Sequence, residues 1–215
     1  MKKQEVAKRY VLFVVSLFFI GLGIALTKHG NIGISPISSV TNVVSLRYTF
    51  LSFGTWVIVS NCVYLLGQIL ILRRRFQPIQ LLQLPLSFLF GYFTDAGIWI
   101  TQFLPNDTYI VKLLLVIGGS AVLGFGIALS VIADVILNAA EGFVKALADT
   151  IKKEFGSVKI LVDICLVVLS VGLSMLFFEG KLVGIREGTI LSAVLVGRIV
   201  NVFLRLLQKP RTGRK

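Results

Sequence analysis

The sequence predicts an all-α polytopic membrane protein, with about six transmembrane helices in two inverted three-helix repeats, each carrying a short semi-polar half-helix. Three observations predict it. The 215 residues are 56% hydrophobic and only 15% charged, with a mean hydropathy of +0.90, and a soluble domain must cover itself in more polar surface than that leaves. About six apolar segments are long enough to cross a hydrocarbon core of roughly 30 Å at 1.5 Å per residue. Finally, the hexapeptide GLGIAL at Gly21–Leu26 returns as GFGIAL at Gly124–Leu129, each time inside an apolar segment and ahead of a more polar stretch. The length allows one membrane domain, 1–215, and no sizeable soluble one.

The elements follow in order. After a polar, basic start, an apolar helix is expected from Tyr10 to about Thr27. Lys28–Tyr48 is too polar to span and too apolar for a free loop. Ser35-Pro36 within it has the form of a helix start, Ser as N-cap and Pro at the first helical position, so Ser35–Arg47 reads as a half-helix, re-entrant or interfacial. Spans follow at Leu51–Leu72, ended by Arg73-Arg74-Arg75, at Leu81–Leu104 with Asp95 inside it, and at Tyr109–Leu137. A second semi-polar stretch covers Asn138–Gly156, and Asn138 with Glu141 fits a capping box. The last spans are Ser157–Phe178 and Gly188–Leu207, before a basic tail.

Lysine and arginine placement sets the orientation. With the N-terminus inside, the inner set holds Lys2, Lys3, Lys8, Arg9, Arg73–Arg75, Lys145, Lys152, Lys153, Lys159, Arg205 and the tail, the outer set only Lys28, Arg47, Lys112, Lys181 and Arg186, and Arg198 belongs to neither. That is the positive-inside pattern of a multi-pass cell-membrane protein with both termini cytoplasmic. The net charge of +12 therefore reads as loops facing anionic lipid, not as a nucleic-acid surface. Membrane lipid, a small-molecule solute and a second copy of the chain are the expected partners. Tyr48, Trp56, Trp99 and Tyr109 fall near outer boundaries, as interfacial aromatics do.

Aligning the chain on itself at an offset of 103 puts Gly21, Gly23, Ala25 and Leu26 on Gly124, Gly126, Ala128 and Leu129, and Cys62 on Cys165. A slip of one puts Asn61 on Asp163; further on Leu86-Ser87 matches Leu191-Ser192, and another one-residue slip from there puts Gly91 and Asp95 on Gly197 and Asn201. Repeats at 8–104 and 109–207 each contain three spans. An odd number forces homologous halves to face opposite ways, the architecture recurrent in secondary transporters.

GLGIAL with the following GISP, EGFVKAL at Glu141–Leu147 and REGTILSAVLVGRIVN at Arg186–Asn201 resemble the bacterial YczE/YitT-type integral membrane family, along nearly the whole chain. The resemblance implies a multi-spanning inner-membrane protein related to transport, without naming a substrate. The chain departs from that pattern at Ala139-Ala140, where a proline-containing sequence is expected, and at Arg198, where a proline is common.

An ionisable group at membrane depth costs roughly 2.5 to 3.5 kcal/mol on insertion scales and calls for an explanation. Asp95 and Arg198 each lie about nine or ten residues from an outer helix end, roughly 14 Å deep. They are expected to pair, either pinning two helices or forming a solute or proton-coupling site. Glu141, Asn138 and Ser35 are the candidates at the half-helix starts, whose unpaired N–H groups would face a solute if the segments are re-entrant. Asp134 and Asp163 are expected near inner helix ends. The glycines of the hexapeptides are read as packing elements before ligand contacts.

No cofactor or metal is expected. His29 is the only histidine, Cys62 and Cys165 lie inside apolar segments, and no Walker loop, HExxH or GxSxG occurs, so an enzyme is not expected. Two functions remain: a transporter of a small polar or charged solute using a midplane site, and a non-transporting scaffold or regulatory subunit needing a partner.

Overall fold

The computed structural model describes residues 3–207, and over that range it is all-helical. Lys2 and the basic tail Lys209–Lys215 lie outside the described residues. The helices are α1 (Lys3–Gly30), α2 (Pro36–Arg47), α3 (Phe53–Leu72), α4 (Gln83–Thr101), α5 (Tyr109–Ala133), α6 (Ala139–Ile151), α7 (Phe155–Phe177) and α8 (Glu187–Leu207), with short 3₁₀ turns at Arg73–Arg75 and Pro78–Leu82. Five of them, α1, α3, α5, α7 and α8, are long and apolar enough to cross a membrane. Helix α4 is of similar length, but Gln83, Thr94, Asp95 and Thr101 dilute its hydropathy.

Local chemistry explains where the observed ends differ from those expected. Helix α1 starts at Lys3, not Tyr10, because the charged residues before Tyr10 are good helix formers and Glu5 sits in the first turn, where the helix dipole favours it. Helix α5 stops at Ala133, four residues early, because Asp134 takes a left-handed conformation (φ 49°, ψ 44°). Left-handed Lys152 likewise ends α6 before Gly156.

Helices α1 and α5 run antiparallel through the centre, α4 packs on α1, α8 on α5, and α3 on α4. The hexapeptide glycines make the tightest of these approaches. A Cβ on Gly23 would lie 2.5 Å from the Leu123 backbone of α5, and one on Gly126 would lie 2.7 Å from the Ile20 nitrogen of α1. Gly21 faces the α4 backbone at Thr94, and Gly124 faces Ile199 of α8. These four glycines are packing elements, as expected. Phe13, Leu17, Ile20, Ile24 and Leu123 form the core around them.

The two short helices lie inside the bundle, alongside the long ones. Helix α2 packs on α7 and α3, and α6 on α3 and α7. The start of α2 is level with the middle of its neighbours: Tyr64 Oη donates to the Ile37 carbonyl at 3.1 Å, and Ser39 reaches the Leu166 carbonyl. The start of α6 lies at Gln68, which donates to the Ala139 carbonyl at 2.9 Å. From there α2 runs toward the end of the bundle where α1 finishes, and α6 toward the end where α1 begins. Each is preceded by a five-residue connection, 31–35 or 134–138.

The two connections match in conformation as well as length. Asn31 and Asp134 are both left-handed (φ 53° and 49°). Ser35 (φ −55°, ψ 144°) and Asn138 (φ −59°, ψ 153°) are both extended N-caps. Each pair is 103 positions apart.

Candidate functional site

Most buried hydroxyls in this bundle serve their own helix. Ser16, Thr27, Ser39, Ser45, Ser87 and Thr94 each donate to a carbonyl three or four residues back. That satisfies a polar atom where water cannot. Four buried side-chain atoms among the described residues have no partner: Asn61 Nδ2, Gln80 Oε1, Glu141 Oε2 and Thr189 Oγ1. Two of them, on Asn61 and Glu141, belong to residues beside the half-helix starts.

Asn61 is 4% exposed. It stands on the face of α3 between Ser60, which meets Thr41 of α2 at 2.7 Å, and Ile58, which meets Gly91 of α4. Tyr64 and Gln68 continue that face by one and two turns. Glu141 sits in the first turn of α6. Lys159 and Asp163 are the charged groups that act on it. Lys159 is already engaged: its Nζ lies 2.6 Å from both oxygens of Asp163. The Glu141 carboxylate therefore keeps a buried oxygen and no dedicated cation.

The capping box expected at α6 is not closed. Asn138 Oδ1 accepts from the adjacent Ala139 N–H at 2.9 Å, two positions short of the N3 N–H that a capping box uses, and Glu141 Oε2 stays without a partner. At α2, Ser35 is the N-cap as expected, but its hydroxyl turns to Ser38 Oγ at 3.3 Å instead of a backbone N–H. No acidic residue occupies the first turn of α2.

The expected Asp95–Arg198 pair does not form. Both Asp95 oxygens are taken at the start of α3, Oδ2 by the Ser52 hydroxyl and Oδ1 by the Gly54 N–H at 2.7 Å. An N-terminal dipole and two donors hold the carboxylate there, so Asp95 is a capping group supplied by a neighbouring helix. Arg198 is exposed on α8, which packs on α5, while α4 packs on α1 and α3. Their similar depth misled because depth along two helices says nothing about which faces meet. Asp134 bonds Arg9 at 3.4 Å at the end where α1 begins.

Three residues that matter here carried no charge and so drew no attention in the sequence. Gln68 and Gln83 exchange amide bonds at 2.8 and 3.3 Å, and Gln68 also holds Ala139, which fixes the start of α6. Tyr64 ties α3 to the start of α2. A neutral amide inside an apolar span was the available signal. Lys28, expected at an outer boundary, donates to Asn42 Oδ1 of α2 at 2.7 Å and lies 4.2 Å from the centre of the Phe53 ring. His29, next to it, reaches the Leu104 carbonyl at 2.8 Å.

Two open cavities approach this region from opposite ends. One, of about 350 Å³, opens where α1 begins and reaches the connection before α6. The other, of about 300 Å³, opens where α1 ends and reaches the connection before α2. Their linings correspond. Asn31, Gly33, Ile34 and Asn42 line the second, and Asp134, Ile136, Leu137 and Lys145, each 103 positions later, line the first. Among the described residues no cluster of His, Cys, Asp and Glu could hold a metal ion.

A bundle of long apolar helices that encloses two short ones, with polar groups gathered where the short ones start, is the build of a polytopic α-helical membrane protein. The chain belongs to a family of unknown function, DUF6198, whose model matches residues 7–205. No curated protein and no solved structure matches it.

Proposed function

We propose that the protein is a secondary transporter of a small polar or charged solute, working by alternating access in the cell membrane. In this reading α4 is a sixth span, held in the bundle by α1 and α3 despite its polar residues. The halves 8–104 and 109–207 are inverted repeats, and both termini are cytoplasmic. The resemblance to the YczE/YitT-type family fits the same reading. The observation that carries it is the pair of cavities at opposite ends, floored by repeat-equivalent connections and separated by the starts of α2 and α6. A carrier needs one site reachable from two sides in turn, and inverted halves supply two such routes from one design. Asn61, Tyr64 and Glu141, with Ser35 and Asn138 at the helix starts, are the solute-facing groups. Asp95 and Arg198 leave that set, Asp95 for capping and Arg198 for its outward position.

The test is flux in proteoliposomes against a panel of amines, acids, zwitterions, sugars and inorganic ions, with and without a proton gradient. Transport of one class, lost in Glu141→Gln while the variant keeps its melting temperature, supports the proposal. If no solute moves or binds, the alternative of a non-transporting scaffold takes its place. In that case the same substitution would leave partner assembly as the only function to lose.

A further inference from the structure

We propose that the solute is a small zwitterion, its ammonium group on Glu141 and its carboxylate between Asn61 and the start of α2. This rests on the transporter reading and deepens it. The region offers two complementary unpaired groups. Asn61 Nδ2 is a buried donor with no acceptor, and Glu141 Oε2 is a buried acceptor with no donor. A buried polar group without a partner is unfavourable, more so where a charge is involved, so both are explained together by a ligand that brings one acceptor and one donor.

The two half-helix starts differ in the same sense. The first turn of α6 contains its own carboxylate, Glu141, which occupies that positive dipole end. The first turn of α2 has no acidic residue, and its N-cap hydroxyl does not cap it, so its dipole end is left for an incoming anion. Tyr64 bridges the two places: its hydroxyl bonds Ile37 in the first turn of α2, and its ring lies 5.7 Å from that of Phe143, two residues after Glu141.

The charges agree. Lys159 is bonded to Asp163, so Glu141 has no ion pair of its own among the described residues. A cation alone would leave Asn61 and the α2 dipole unanswered. An anion alone would meet Glu141 with repulsion.

The experiment uses the full chain in proteoliposomes and in detergent. Uptake and thermal stabilisation are measured with glycine, β-alanine and γ-aminobutyrate, which space the two charges differently. Propylamine and propionate serve as single-charge controls. At least one zwitterion is expected to move and to stabilise the protein, with the controls weaker by about tenfold or more. Glu141→Gln and Asn61→Leu should each weaken the zwitterion by a similar factor. Substituting Gly118, which faces open space, with alanine should not. Propylamine acting as well as the zwitterions, or propionate doing so, overturns the inference. So does transport of a sugar or inorganic ion with no zwitterion binding, which leaves the transporter reading standing. Movement and binding of nothing in the wider panel sinks both.

Discussion

Replacing Gly23 with alanine tests the central packing directly. The added methyl would sit 2.5 Å from the Leu123 nitrogen and 2.7 Å from its Cα, where ordinary contact begins at 3.4 Å. The obstacle is helix backbone, which cannot rotate aside, so α1 and α5 must separate by about 1 Å over the contact, and dispersion falls off steeply over such a gap. Overpacking of this kind costs about 1–3 kcal/mol. Gly126→Ala, against the Ile20 nitrogen at 2.7 Å, should cost a similar amount because it is the other side of the same crossing. Gly118→Ala and Gly172→Ala add a methyl to open space and should be neutral or stabilising by up to about 1 kcal/mol, as helix propensity dictates. Unfolding by SDS titration in mixed micelles reads all four. Equal stability of Gly23→Ala and Gly118→Ala would refute the close α1–α5 crossing.

Two further outcomes follow from the polar network. Asp95→Ala should destabilise by about 0.5–2 kcal/mol through loss of the α3 cap. Arg198→Ala should be neutral, and a double-mutant cycle should give a coupling below about 0.5 kcal/mol; a coupling well above that would restore the ion pair. Gln68→Ala should cost about 1–3 kcal/mol because it strands the buried Gln83 amide and the Ala139 carbonyl. Adding Gln83→Ala to it should cost much less than the sum of the singles, and full additivity in thermal melts would count against the shared latch.

The fold was legible in the sequence wherever apolar length and punctuation agree. Ser35-Pro36 marked the start of α2 to the residue, because Pro lacks the N–H that a first helical position cannot use. The glycine hexapeptides were read as packing, and Gly23 and Gly126 face each other's helices. Hydropathy could not locate the end of α5, which depends on a left-handed Asp134. Nor could it decide that the half-helices lie within the bundle, since a short semi-polar helix has the same composition inside or across its surface. The site was half legible. Helix-start chemistry located Ser35 and Asn138 as N-caps and Glu141 in the first turn of α6, whereas Asp95 and Arg198 were chosen by charge and depth and do not meet. Gln68 and Tyr64 were missed because the cost of an uncharged polar group in an apolar span drew less weight than the cost of a charge.

The packing also contains an asymmetry that predicts a second state. Under the proposed repeat, nearly every helix pair would have a counterpart: α1 on α4 with α5 on α8, α2 on α7 with α6 on α3, α2 on α3 with α6 on α7. The exception is the α3–α4 seam, for which α7 and α8 have no equivalent of similar extent. In the first half Gly54 and Gly91 close that seam and Asp95 caps α3 across it. In the second half Gly197 faces open space, and Arg198, 103 positions after Asp95, is exposed. If the halves exchange conformations during transport, α8 closes on α7 as α4 leaves α3. Arg198 then approaches the start of α7, where Glu154 is the N-cap, an arginine to a carboxylate in place of an aspartate to a serine. Spin labels at Val59 and Phe88, and separately at Leu161 and Val194, on a background without Cys62 and Cys165, read the two seams in liposomes. The expected result is two distances for each pair, with the short α7–α8 population lost in Arg198→Glu and regained when Glu154→Arg is added. One narrow distance for both pairs under every solute and pH condition would mean that the asymmetry is permanent, and alternation by exchange between the halves would be ruled out.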